Sequence, residues 1–391
     1  MKRYSAQYIF TNAGPPLKRG IITADEDGRI SNIEDTGGDL PENESVEFHN
    51  GIIIPGFANC HCHLELSHMK GIIPEKSGLA EFLRIIRSSR DIESQKILFS
   101  AGEADAAMYS NGTVLCADIC NSDSTFTVKK RSRIKYINLL EVFGIDPAKA
   151  LHRFNEIKKI SEIAEETGLP YYFVPHSVYS LSIPLFKILL AATGSNKITS
   201  MHFMETASEK TFLEKHEGTI MDSYKESGLY TGSLETVKDH ASAVLNNITL
   251  SGNLILVHNT CTDHATVEEV SKRGNLYWCL CPNSNLYIEN RLPPVNILIE
   301  KDCTIVIGTD SLASNKSISI LEEIKTLQSF FPVLPLEELI KWATLNGAKA
   351  LGEESSYGTI EKGKKPGLLL LQDIDLHKMK LLPESNIARL L

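Results

Sequence analysis

The chain reads as short apolar runs separated by stretches with helical spacing. The runs are Gly51–His63, Thr113–Ile119, Lys135–Gly144, Pro170–Ser177, Ile198–Glu205, Asn253–Thr260, Leu276–Ser284 and Thr304–Ser311. Between them, segments such as Pro147–Thr167 and Asp263–Lys272 show helical periodicity. Continuous apolar strands alternating with helices predict a parallel sheet covered by helices. Eight such units predict an α/β fold closed as a (β/α)8 TIM-like barrel. An open doubly wound sheet has the same periodicity, so the pattern alone leaves both open.

The ends of the chain do not fit the barrel pattern. Tyr8–Thr11, Gly20–Ala24 and Ile30–Ile33 are β-like pieces with turn signals between them, and Gly367–Leu371 is similar. Each end is too short to fold alone, so the two are expected to pair as one small β domain. The expected division is 1–54 plus 357–391 for that domain and 55–356 for the barrel. The length of 391 residues fits this arrangement.

Composition narrows the function classes. A formal net charge of −9 gives the chain no general attraction to nucleic acid or to an anionic membrane surface. Met1–Gly14 lacks the apolar core of a signal peptide, and no run is long enough to span a bilayer. The eight cysteines are therefore expected to be reduced thiols in a cytoplasmic protein. Cys60/Cys62 and Cys279/Cys281 are spaced as strand residues, not as a zinc site, so core packing is their reading.

Polar residues gather at the C-terminal ends of the apolar runs. His61 and His63 end the first, His176 and Ser177 the fourth, His202 and Glu205 the fifth, His258 and Asn259 the sixth, and Asp310 and Ser311 the eighth. In a parallel barrel these ends converge on one face, where sites form. Five of twelve histidines at such ends is hard to ascribe to core packing. Side chains alternate along a strand, so His61 and His63 point one way and Cys60 and Cys62 the other. A lone His-x-His is weak evidence. With a third histidine and an aspartate it makes a donor set that suits zinc or iron and keeps a position open for water.

Pro55-Gly56-Phe57-Ala58-Asn59-Cys60-His61-Cys62-His63 resembles the first-strand signature of the amidohydrolase superfamily. His176-Ser177-Val178-Tyr179-Ser180, His202-Phe203-Met204-Glu205-Thr206, Cys281-Pro282-Asn283-Ser284-Asn285, Gly308-Thr309-Asp310-Ser311 and Thr344–Gly352 resemble, in order, motifs of its deaminase and chlorohydrolase branch. The resemblance covers nearly the whole chain. It implies a barrel inserted in a β-sandwich made from both chain ends. It implies His61, His63, His202 and Asp310 as ligands of one divalent metal ion, zinc or else iron, and His258 as a residue near the bound water. Dinuclear members bridge their metals with a lysine on the fourth strand, and Pro170–Ser177 has none. Pro366-Gly367 stands where the family often has Ala-Asp, a departure outside the site.

The resemblance also implies a division of labour. A metal lowers the pKa of bound water to near 7 and so supplies hydroxide. Asp310 would accept the proton from that water, Glu205 would protonate a substrate ring nitrogen, His258 would orient the water, and His176 would contact the substrate. The plainer readings are a hydrogen-bonded strand-end histidine for His176 and a surface salt bridge for Glu205. Glu65 follows the ligand pair and is expected to line the pocket. Arg84 and Arg87 are candidates for a substrate carboxylate, against the simpler reading of a solvated helix face. His68 and His264 are expected to be exposed.

The expected function is hydrolytic deamination of an aminated heterocycle, a 6-aminopurine nucleoside-type compound such as an adenosine thioether or aminodeoxyfutalosine. The alternatives are a triazine-type chlorohydrolase, a guanine- or cytosine-type deaminase, and, in another class, a non-catalytic metal- or ligand-binding barrel. The expected partner is a small heterocyclic substrate, not nucleic acid or a membrane, and a homo-oligomer is compatible with the sequence.

Overall fold

A computed structural model describes residues 1–40, 45–90, 92–230 and 252–391. Five strands come first: β1 (Lys2–Ile9), β2 (Leu17–Lys18), β3 (Ile21–Ala24), β4 (Ile30–Glu34) and β5 (Glu47–Pro55). Eight more follow: β6 (Phe57–Cys62), β7 (Thr113–Cys120), β8 (Lys135–Val142), β9 (Tyr171–Pro175), β10 (Ile198–Phe203), β11 (Asn253–His258), β12 (Leu276–Leu280) and β13 (Ile305–Ile307). The chain ends with β14 (Leu368–Asp375) and β15 (Lys380–Arg389).

Strands β6 to β13 form the barrel. They pair in parallel as β6-β7-β8-β9 and β10-β11-β12-β13. Bridges Ser177↔His202 and Cys62↔Asp310, both parallel, join the two sheets at their two seams. The backbone N–H groups of Thr309 and Asp310 donate to the His61 carbonyl (3.0 Å each), and that of His202 to the His176 carbonyl (2.8 Å). Both seams therefore run through residues of the strand-end cluster. Every residue of β6, β7 and β10 is buried. That is why these strands read as unbroken apolar runs and not as alternating ones.

Local signals place the covering helices. Asp146 accepts from the Ala148 N–H (3.0 Å) ahead of the helix Ala150–Thr167, which stops at Gly168 with φ +73°. Asp263 caps His264–Ser271 by accepting from the Thr266 N–H at 2.8 Å. The Thr344–Gly352 segment packs beneath the barrel. A Cβ added at Gly347 would lie 2.7 Å from the Ala58 Cβ, so only glycine allows this approach.

The first expected strand proves to be two. Residues up to Pro55 belong to the end sheet and those from Phe57 to the barrel, with Gly56 as the break. A Cβ at Gly56 would meet Val114 Cγ1 at 2.4 Å and the Pro366 carbonyl oxygen at 2.8 Å. The Gly56 N–H donates to the carbonyls of Pro366 and Gly367, so the Pro-Gly pair fastens this junction. The end sheet has the order β15-β14-β5-β1-β3-β4, with β2 on β1. One face packs Tyr4, Ile22, Ile53 and Leu370 into its own core. Ile52, Ile54, Leu369 and Leu371 on the other face join the barrel cluster around Trp278. Two details differ from expectation: β1 starts at Lys2, ahead of Tyr8, and β15 was not foreseen. β15 is an edge strand carrying Pro383 and the exposed polar residues Glu384 and Asn386, a pattern that reads as loop.

All eight cysteines are free thiols. Among the described residues no helix is long and apolar enough to cross a membrane.

Candidate active site

The strand ends gather five imidazoles and a carboxylate. His61 Nε2 lies 3.1 Å from His63 Nε2. Asp310 Oδ1 stands 3.7 Å from the first nitrogen and 3.5 Å from the second. His202 completes a group whose ligating atoms, with those of His61 and His63, all fall within 4.8 Å of one another. Cys60 and Cys62 point into apolar clusters on the opposite side. A Cβ at Gly308 would sit 2.8 Å from the His61 Cβ, so glycine is required beside the first imidazole.

The protonation states fit a cation. Burial outweighs the Asp310 contact and lowers His61 to about 3. Burial, then the charge of His61, lowers His63, and burial, then His176, lowers His202. Neutral imidazoles are the ligating form. Nδ1 of His202 faces the His176 carbonyl at 3.0 Å, which assigns its proton and leaves Nε2 as the donor to an ion. Burial alone would push Asp310 up, but the neighbouring imidazoles of His61, His63 and His258 hold it well below the usual range. Asp310 Oδ2 accepts from the hydroxyls of Ser284 (2.6 Å) and Ser314 (2.7 Å), which leaves Oδ1 toward the histidine pair. Three neutral nitrogens and one carboxylate fit a zinc-like ion.

Glu205 and His258 stand beside this cluster, with Oε1 3.7 Å from Nε2. Met204 at φ +49° turns the chain after β10, and the Glu205 N–H donates to Glu209 Oε2 at 3.0 Å. Burial, opposed by His202, raises the Glu205 carboxyl to about 8. His258 (φ +76°) and Asp310 (φ +56°) both hold left-handed backbone, a conformation that carries strain in non-glycine residues and gathers at functional sites. His176 directs Nδ1 to the hydroxyls of Ser177 and Ser180 (3.0 Å each) and stacks on His202 with centroids 4.5 Å apart.

A cavity of about 290 Å³ opens over the group. His63, His176, His202, Glu205, His258 and Asp310 line its floor. Leu66, Phe82, Ile86, Phe143 and Tyr224 form an apolar belt above them.

Two of the expected substrate contacts need correction. Arg84 does not line the cavity: it is exposed and pairs with Glu81 at 2.6 Å. The helix Leu79–Ser89 turns Phe82, Ile86 and Arg87 inward, which puts position 84 off that face. Arg87 does line the cavity and donates to the Ser223 hydroxyl at 2.7 Å. Glu65 is buried, but its oxygens are taken by Arg90 (2.8 Å), the N–H groups of Asn121 and Ser122 (3.1 Å each) and the Ser122 hydroxyl (3.0 Å). It fastens the loop after β7 and borders only an adjoining hollow. Of the two histidines expected to be exposed, His264 is exposed and His68 half-buried.

Sequence reasoning passed over Arg90, Arg153 and Glu141, all of which line the cavity. The signal for Glu141 was present, since it lies at the C-terminal end of an apolar run. It also passed over Asp118, whose Oδ1 accepts from the Leu64 N–H at 2.7 Å, just past the ligand pair, while Oδ2 meets the buried Lys129 at 2.5 Å.

A (β/α)8 barrel with such a cluster at the C-terminal face of its strands is laid out as a metal-assisted hydrolase. Residues 52–389 match the amidohydrolase family, and the chain belongs to it; it is a hydrolytic enzyme of that family. It is 25% identical over 375 residues to a 5'-deoxyadenosine deaminase of Methanobrevibacter smithii, covering 90% of this chain and 80% of that protein. The structure of Helicobacter pylori aminofutalosine deaminase shares the fold at a TM-score of 0.79 and 19% identity, covering 96% of this chain and 93% of the other. Atrazine chlorohydrolase from Arthrobacter aurescens, solved with zinc, superimposes at 0.72 with 16% identity, covering 94% and 86%.

Proposed function

We propose that the protein hydrolytically deaminates an aminated heterocycle, a 6-aminopurine nucleoside-type compound, and that one divalent ion, zinc by preference, is held by His61, His63, His202 and Asp310. The observation that carries the reading is Glu205. Its carboxyl is buried beside the histidine cluster, 3.7 Å from His258, and burial raises it to about 8 in the metal-free protein, which makes it a ready proton donor. Deamination of a ring amidine needs such an acid, because protonating the ring nitrogen makes the adjacent carbon electrophilic. The deaminase named above, similar over most of its length, supports the substrate class.

The ion's contribution would be to make hydroxide available from water near neutral pH. The remaining work belongs to side chains. Asp310, held ionised and braced by two serine hydroxyls, is the acceptor for the proton that water gives up. Glu205 donates its proton to the ring. His258, 3.7 Å from Glu205 and kept neutral by burial, orients the attacking oxygen. The apolar belt admits a planar ring and limits water, and His176 lies against the cluster as a ring contact.

The test is release of ammonia by the zinc-loaded enzyme from adenosine, 5'-deoxyadenosine, methylthioadenosine and aminodeoxyfutalosine, set against guanine, cytosine and a chlorinated triazine. Turnover confined to the 6-aminopurines is expected. Turnover of the others with the adenosines inert would overturn the substrate class, and chloride release would overturn deamination itself.

A further inference from the structure

The deamination scheme leaves one cavity carboxylate idle. Glu141 is the penultimate residue of β8 and only 3% exposed. Its Oε2 accepts from Asn121 Nδ2 at 3.0 Å. Its Oε1 lies 3.7 Å from His202 Nδ1, beyond hydrogen-bond reach, and that nitrogen already faces the His176 carbonyl at 3.0 Å. Among the described residues no donor reaches Oε1, although the residue lines the cavity. This oxygen faces the cavity, where water can serve it in the free protein and a ligand that brings a hydrogen-bond donor can take that water's place.

Its location says which part of a ligand that is. Glu205 borders only the inner cavity, whereas Glu141 borders both that cavity and the adjoining hollow. Glu141, His176 and His202 offer atoms within 4.8 Å of one another. His176 spends Nδ1 on Ser177 and Ser180, so its other ring nitrogen remains for a ligand. With the reacting ring against Glu205, the group that reaches Glu141 is the one attached to the ring. In a nucleoside that group is a sugar, whose hydroxyls are hydrogen-bond donors.

We propose that Glu141 is a specificity-determining residue whose unpartnered oxygen accepts from a sugar hydroxyl of the substrate, so that the enzyme selects ribonucleosides over their deoxy counterparts. The inference rests on the nucleoside reading above. Of the arginines on the same wall, Arg90 is held by Glu65 at 2.8 Å.

The experiment is a double comparison on the zinc-loaded full chain: wild type, Glu141→Gln and Glu141→Leu, each with adenosine, 2'-deoxyadenosine and 3'-deoxyadenosine. Hydrogen bonds to a charged group predict that wild type loses roughly tenfold to a hundredfold in kcat/KM when the recognised hydroxyl is absent. Glu141→Leu should lose a similar factor on adenosine, chiefly in KM, and show little further loss on the deoxy compound. Metal content and the visible spectrum of the cobalt-substituted protein should stay as in wild type. Equal losses by Glu141→Leu on adenosine and on both deoxy compounds would overturn the proposal. A lowered metal content or a changed cobalt spectrum would overturn it too, by placing the residue in support of His202. A wild type active on adenosine but indifferent to both hydroxyls overturns the Glu141 role alone. A wild type inert toward every nucleoside overturns the nucleoside reading and this role with it.

Discussion

Replacing Glu205 by glutamine separates what this residue does for chemistry from what it costs the fold. Burial carries the carboxyl from an ordinary 4.5 to about 8, with His202 pulling the other way. The folded protein therefore holds this proton more tightly than the unfolded chain does. The associated stability is complete below about pH 4.5 and is lost as pH rises toward about 8. By pH 7 the loss amounts to about 3 kcal/mol, at roughly 1.4 kcal/mol for each pH unit above 4.5. Glutamine has nearly the same shape and never ionises, so it escapes this penalty. Metal-free Glu205→Gln should melt several degrees above metal-free wild type at pH 7, with the difference vanishing near pH 4. The metal-free state is chosen because a bound cation would favour the ionised form and shrink the effect. The same variant, reloaded with zinc, should keep its metal and lose about 10²–10⁴-fold in kcat. Thermal melts across pH in the presence of a chelator, with kcat on the reloaded protein, supply both readings. Coincident melting curves at every pH would refute the burial argument, and a near-normal kcat would show that the ring proton comes from elsewhere.

Other substitutions test separate parts of the account. His61→Ala should lower metal content measured by atomic absorption, whereas Cys62→Ala, which faces an apolar cluster, should leave it unchanged. Ser284→Ala with Ser314→Ala removes both hydroxyl donors from Asp310 Oδ2, so the acid limb of kcat/KM should move to higher pH, as a pH profile would record. Lys129→Met leaves the buried Asp118 without its partner and should cost about 3–5 kcal/mol in denaturant unfolding. Arg84→Ala should leave kcat/KM within about twofold of wild type, because Arg84 lies off the cavity and its partner Glu81 is also exposed.

The barrel was legible because its strands are buried on both faces and end in polar residues. Thr113–Ile119 is apolar apart from Thr113 and Asp118, and the structure buries all of it. The division between β5 and β6 was not legible. Gly51–His63 is one apolar run, and what splits it is the approach of Val114 and Pro366 to Gly56, distant in sequence. Histidines announce themselves at strand ends, so His61, His63, His176, His202 and His258 could all be placed on one face before the fold was known. A carboxylate at a strand end is also visible in the sequence, but its position does not say which way it turns. Glu65 and Glu141 both lie near strand ends, yet the first turns to the loop at Asn121 and the second into the cavity. The helix Leu79–Ser89 shows the same limit. Its periodicity fixed which residues share a face, but only packing decided that Arg87 looks inward and Arg84 outward.

Hydrolytic deamination makes one demand that no other reading of this site shares. The zinc-loaded enzyme is incubated with adenosine in water enriched in oxygen-18, and product mass and ammonia are measured together. The account predicts an inosine carrying one heavy oxygen on the ring, formed with one ammonia, and no such product after chelation or in Glu205→Gln over the same interval. A metal-replete protein that binds adenosine and leaves it unchanged, or that forms product without oxygen from water, would contradict it.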